Sequence, residues 1–354
     1  MDRVGSVSNM FLKERFNMRV GFNYRTFIGA VILVVFLLFP FFLDSYFIHL
    51  VITILLLCYM GACWNIIGGY GGQVMLCQGV FYAIGAYTSS LLLVRLGVTP
   101  WVGMFVGAVI AAIFGFLLGF FFFRYELRSH YFAVGTLAVG AVVRVVFSNW
   151  DFVESTKGII IPISEDSLYY FQFSTKAMYY YIMLAMVVMI VLVTYYVNRS
   201  KLGIYLNAIR ENEDAADSLG INRRKYKTIA IVLASFFTAF AGSFTAQYLL
   251  YIHPEQYVNL NLSIEALCAA IVGGRATVFG PILGGFIFGS AAEAARVYVG
   301  ATYVGSHLIV NGIIIIIIIV YLPRGLQPVL GRFAGYVSTR IRERKGVGGG
   351  NVAA

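Results

Sequence analysis

The chain has 354 residues, of which 60% are hydrophobic and only 12% charged, with a formal net charge of +10. A soluble domain is roughly 45–50% apolar and about 25% charged, so these few charges cannot cover a soluble fold of this size. The apolar residues fall in long unbroken blocks of the kind that cross about 30 Å of hydrocarbon as helices, not in alternating strands of about 10 residues, and the fold class read here is an all-α polytopic transmembrane bundle.

Residues 1–25 form a basic segment expected on the cytoplasmic side. Ten spans are predicted in the transmembrane domain 26–323, at 26–43, 46–67, 79–94, 101–123, 131–148, 178–197, 228–250, 263–272, 279–298 and 305–322. The first is longer than a signal-peptide core and no small-x-small cleavage site follows it, so a retained helix is read there. The eighth is short, and is either a crossing or a re-entrant or broken element; the total is about ten, with eight as the lower bound. A basic tail, 324–354, closes the chain. Cys58, Cys63, Cys77 and Cys268 stand in or beside apolar segments with no metal-type spacing and read as small hydrophobes.

Lys and Arg near span ends set orientation. With ten spans and a cytoplasmic N-terminus, 21 of the 26 basic residues fall inside. Both termini are therefore expected in the cytoplasm, and the chain in a cytoplasmic (inner) cell membrane. The outer loop 149–177 carries Asp151, Glu154, Glu165 and Asp166. The positive balance is a topology signal, reinforced by anionic lipid; nucleic acid is not an expected partner.

Several Gly pairs are four apart: Gly103 and Gly107, Gly115 and Gly119, Gly280 and Gly284. Such spacing lets helix backbones approach closely in lipid. Glu293 and Arg296 are three apart on one helix face and read as a local ion pair. Arg144, near the outer end of its span, reads as snorkelling to the interface. Glu265, at the start of the short eighth element, has two open readings, contact with a substrate ammonium or a helix cap.

A Gly-rich stretch from Gly68 to Tyr87 contains polar Gln73 and Gln78. It reads either as a tight turn with close helix packing, or as irregular backbone whose N–H groups meet a substrate carboxylate at the next helix start. The loop 198–227 is the remaining informative segment. Asn212 is placed as an N-cap, Glu211, Glu213 and Asp214 suit a helix start, Ala215, Ala216 and Leu219 favour helix, and Gly220 is placed as the stop. Either a short polar helix parallel to the membrane or a plain solvated loop fits these residues.

Asp214, Ala215 and Ala216 followed by Gly220 resemble the EAA-x-x-x-G coupling-loop motif of ABC importer permeases, with Asp for Glu and without the later Ile-x-Leu-Pro. The longer run Arg210 to Ile221 resembles the corresponding loop of branched-chain amino-acid permeases of the LivM type. The Gly-rich stretch is similar to another run of that family, although Met75, Cys77 and Gln78 stand where members often carry Ser, Gly and His. The stretches Tyr257 to Gly274, Gly280 to Gly285 and Tyr321 to Leu326 add three more similarities in order, so the resemblance covers most of the chain. It implies a permease subunit of an ATP-driven importer, moving branched-chain amino acids or, in related members, urea, short amides or other amino acids. It also implies a second homologous permease subunit, two cytoplasmic ATPase subunits and an extracytoplasmic substrate-binding protein as partners. Arg210, Glu211, Asp214, Ala215, Ala216 and Gly220 would form the ATPase-coupling loop, and Gln73, Gln78 and Glu265 are candidates for the substrate path. The chain has no Gly-x-x-x-x-Gly-Lys-Ser/Thr, so ATP would be bound by partners and no cofactor by this chain. No hydrolase or metal motif supports an enzyme. An ion-gradient carrier would need paired carboxylates or broken helices deep in the bilayer, and among carboxylates only Glu265 is placed for that.

Overall fold

The computed structural model describes residues 35–41, 43–125, 129–163, 167–298, and 312, 313 and 316. Expectations for the N-terminal segment, the tail, the tenth span and most of the first lie outside the described residues. Up to His49 the chain holds a 3-10 turn, Phe39–Phe41, and the first residues of α1. From Leu50 onward it forms one compact unit.

The helices, in order, are α1 (Ser45–Asn65), α2 (Gln78–Leu96), α3 (Pro100–Arg124), α4 (Ser129–Asn149), α5 (Lys176–Arg199), α6 (Lys201–Glu211), α7 (Glu213–Ser218), α8 (Arg223–Leu249), α9 (Pro254–Tyr257), α10 (Leu260–Gly273) and α11 (Gly280–Tyr298). A buried π-helical turn, Ile66–Tyr70, prolongs α1. Six helices among the described residues are long and apolar enough to cross a membrane: Ser45–Tyr70, Gln78–Leu96, Pro100–Arg124, His130–Asn149, Lys176–Arg199 and Arg223–Leu249. These correspond to the second to seventh spans read from the sequence. One departure from an all-helical body is a two-residue antiparallel pair, β1 (Ile159–Ile160) with β2 (Tyr251–Ile252), which ties the 149–177 loop to the end of α8.

Small residues set the packing. A Cβ at Gly103 would lie 2.8 Å from the Ser89 Cα, and one at Gly107 would lie 3.1 Å from the Gly85 Cα, so α3 rides directly on the α2 backbone. Further along α3, Gly115 faces Ser235 and Gly119 faces Ile231 on α8. Gly85 of α2 in turn abuts the Ala239 carbonyl of α8. Lipid gives no hydrophobic drive to pair helices, so this close backbone contact supplies the dispersion attraction that holds the trio. On the other side, Gly280 and Gly284 of α11 pack against Gly273 and Ala269 of α10, and Gly285 packs against Cys58 of α1. The four cysteines are buried and free.

Two helices are interrupted inside the body. α2 does not start at the end of the bundle: the Gln78 Nε2 donates to the Met60 carbonyl at 2.9 Å and to the Thr238 Oγ1 at 3.3 Å, midway along α1 and α8. The chain 71–77 reaches that depth without helix. α10, whose core is the short eighth element, has 14 residues. At 1.5 Å per residue that is about 21 Å, short of a crossing. Its first turn meets the start of α2, where the Gly79 N–H donates to the Ser263 Oγ at 3.2 Å.

Candidate functional site

The loop between α5 and α8 is more ordered than its sequence indicates. Its first half is α6, an 11-residue helix that buries Gly203, Leu206 and Ile209. Asn212 then breaks the chain and caps α7, its Oδ1 accepting from the Asp214 and Ala215 N–H groups at 3.0 Å each. At the other end Gly220 takes φ +80°, a conformation that costs an L side chain. The Gly220 N–H donates to the Asp217 carbonyl and the Ile221 N–H to the Ala216 carbonyl, closing a Schellman stop. A six-residue helix is unstable alone; here both ends are capped and Arg223 of α8 clamps its acidic face, with the Nε 2.9 Å from Asp217.

Ala216 is buried beneath α7. Glu211, Asp214, Ala215 and Gly220 are on the exposed side, and Leu219 is 80% exposed. Beside it, Asp217 and the stretch Gly220 to Arg224 line an open hollow of about 330 Å3.

Arg210 and Glu213 face inward from this loop. The Arg210 Nη1 donates to the Gly69 carbonyl at 3.1 Å. Gly72, at φ +67°, passes so close that a Cβ there would lie 2.8 Å from the Arg210 Cγ. On the far side of the same turn, Asn65 accepts from the Ala276 N–H and donates to the Thr277 carbonyl. The Gln73 Nε2 donates to the Glu213 Oε1 at 3.3 Å. Gln73 is thus tied to the loop end of the bundle, and Gln78 to its interior; the two are not neighbours at one site.

Deeper in, the starts of α2 and α10 and one face of α4 enclose a cavity of about 150 Å3. Its lining includes Leu76, Cys77, Gly79, Asn259, Ser263 and Arg144. Arg144, read from sequence as snorkelling, is exposed and also borders this cavity, and α4 has only 11% of its apolar window buried. A charge on such a helix marks a water-filled or protein-covered face, since lipid penalises it. Broken helices meeting at mid-depth are the usual setting of a transport site.

Glu265 lies on a different cavity, of about 160 Å3, with Glu293 and Arg296. The Glu293–Arg296 pair forms at 3.1 Å. Glu265 is in the second turn of α10 and does not cap it; the cap is Asn259, whose Oδ1 accepts from the Asn261 N–H. The buried amide of Gln247, which has no partner among the described residues, is a polar group that the sequence reading missed. The signal for Arg144 was present as a lone charge within an apolar span.

A body of close-packed apolar helices, six of them long enough to cross a membrane, with a capped non-spanning helix between two of them, is that of a polytopic membrane protein. The sequence profile described as "Branched-chain amino acid transport system / permease component" matches residues 45–320, and the chain belongs to that family, whose members are ABC importer permease components, not enzymes. It is 30% identical over 292 residues to the high-affinity branched-chain amino acid transport system permease protein LivM of Escherichia coli K12, covering 76% of this chain and 67% of that protein. It is 24% identical over 284 residues to LivH of the same organism, covering 76% of this chain and 89% of that protein. Among solved structures it is similar to a chain of PsaBC from Streptococcus pneumoniae in complex with Fab, at 14% identity and TM-score 0.44, covering 80% of this chain and 94% of that one.

Proposed function

We propose that this chain forms one half of the pore of an ATP-driven importer for branched-chain amino acids, and that α7 is where the ATPase docks. A second homologous permease completes the pore, two ATPase subunits bind at the α6–α7 end, and an extracytoplasmic binding protein delivers substrate to the opposite end. ATP is bound by the partners. The observation that carries the reading is α7 itself: a helix capped at both ends, clamped by Arg223, and presenting Leu219 and Asp214 outward. The family's permeases and the names of the most similar relatives support the substrate class.

Substrate is taken to pass the cavity at the starts of α2 and α10. There Arg144 offers a cation to the carboxylate, and Leu76, Val80 and Leu137 offer apolar wall to an aliphatic side chain. Glu265, read from sequence as a candidate for the ammonium, lines a separate cavity with Glu293 and Arg296 and is not given that role here.

The test is co-purification with the ATPase subunits. Ala215→Asp with Gly220→Leu places a charge on the outward face and a side chain at φ +80°. The double variant is expected to lose the ATPase subunits while remaining in the membrane. Assembly and ATP-driven transport as in the unaltered protein would remove α7 from the coupling role.

A further inference from the structure

Glu213 does more than its neighbours on α7. Its Oε1 accepts from two elements at once, the Lys227 Nζ at 2.7 Å and the Gln73 Nε2 at 3.3 Å, while its Oε2 faces the Arg223 guanidinium at 3.7 Å. Both the Lys227 and Gln73 side chains are buried. α7 does not need Glu213 to stay on α8, because Arg223 also holds Asp217, and Asn212 and Gly220 close the helix ends. What Glu213 adds is a connection to the chain 71–77.

That chain has no helix of its own and few anchors. The Gln73 N–H donates to the Ile67 carbonyl, the Trp64 Nε1 donates to the Met75 carbonyl, and the Leu76 N–H donates to the Thr136 Oγ1. Four residues beyond Gln73 the segment has reached the interior cavity, where Leu76 and Cys77 form part of the wall. On its other side Gly72, at φ +67°, turns the chain against Arg210.

We propose that Glu213 is a positioning residue that links α7 to Gln73, so that movement of the docking helix shifts the 73–77 wall of the transport cavity. The proposal rests on the reading of α7 as the ATPase dock. In it, the ATPase closes, α7 moves with it, and the short extended segment carries the displacement inward without waiting for α5 or α8 to tilt. Coupling here runs through one carboxylate and one amide, a discrete contact that is either made or broken.

The experiment uses the complete transporter, with its partner permease, ATPase subunits and binding protein, in sealed proteoliposomes. The readout is amino acid carried per ATP hydrolysed, with retained ATPase subunits scored in parallel. Gln73→Leu removes the link and leaves the Glu213–Lys227 pair in place; the ratio is expected to fall about tenfold, within the range of ordinary coupling energies, with the ATPase subunits retained. Gln73→His, which restores an uncharged N–H donor to the same carboxylate without a second ammonium beside Lys227, is expected to recover the ratio. Glu213→Ala removes the same contact together with the Lys227 and Arg223 pairs, so it is expected to fall at least as far as Gln73→Leu, and the double variant no further than Glu213→Ala. An unchanged ratio in Gln73→Leu, or falls that multiply in the double variant, would overturn the link. Should Glu213→Ala fail to accumulate, Gln73→Leu against Gln73→His decides alone. Failure of the docking reading shows separately, as ATPase subunits that stay bound to Leu219→Glu.

Discussion

At the scale of single residues, the ends of α7 were legible because capping is local chemistry. Asn212, two to three residues before the N–H groups it accepts, and Gly220, at φ +80°, announce a helix start and stop from adjacent residues alone. Replacing such a cap with Ala costs about 1 kcal/mol. Asn212→Ala is therefore expected to speed amide exchange at Asp214 and Ala215 about fivefold, read by hydrogen exchange on the purified protein. Unchanged exchange would mean that the clamp from Arg223 alone holds α7. The partner of Gln73 was not legible in the same way. It lies 140 residues away in Glu213, and a side-chain amide in a Gly-rich turn gives no sign of which distant carboxylate it will meet. Arg144 was visible as a charge in an apolar span, but snorkelling and bordering a cavity differ only in which face of α4 the neighbours leave open.

Among the elements, length and hydropathy located the second to seventh spans, since about 20 apolar residues admit few alternatives. α6 was missed although Leu202, Leu206 and Ile209 fall at helical spacing, because the sequence reading placed a helix only at the later acidic run that starts with Asn212. The two-residue β1–β2 pair is too short to leave a periodic pattern. α10 was correctly seen as short, and its break follows from where it starts: Asn259 caps it at the level of Gly79, inside the body. Glycine contacts give the element-scale test. A Cβ at Gly115 meets Ser235 of α8, whereas one at Gly140 of α4 has nothing within 4 Å. Overpacking a tight contact costs about 1–3 kcal/mol. Gly115→Leu is expected to lower the Tm in detergent by several degrees and Gly140→Leu to leave it unchanged, while Gly140→Leu, which lies on the cavity wall, slows transport. Equal Tm values for the two variants would contradict the α3–α8 packing.

For the whole molecule, charge and architecture lead to the same division of labour. Basic residues at the α6–α8 loop mark the end where partners with nucleotide would bind, and the interior holds two broken helix starts around a cavity bordered by Arg144. The sequence has no Gly-x-x-x-x-Gly-Lys-Ser/Thr run, and in the proposed account the driving force comes from separate ATPase subunits. Substrate identity was the part least visible in the sequence, because an apolar cavity of about 150 Å3 with one cation fits several small zwitterions. The most direct measurement is uptake of labelled leucine by the complete complex in sealed vesicles. Leucine is expected to accumulate only with both ATP and the binding protein, with isoleucine and valine competing and an imposed ion gradient having no effect. Accumulation driven by an ion gradient without ATP, or accumulation of urea in place of leucine, would contradict the account.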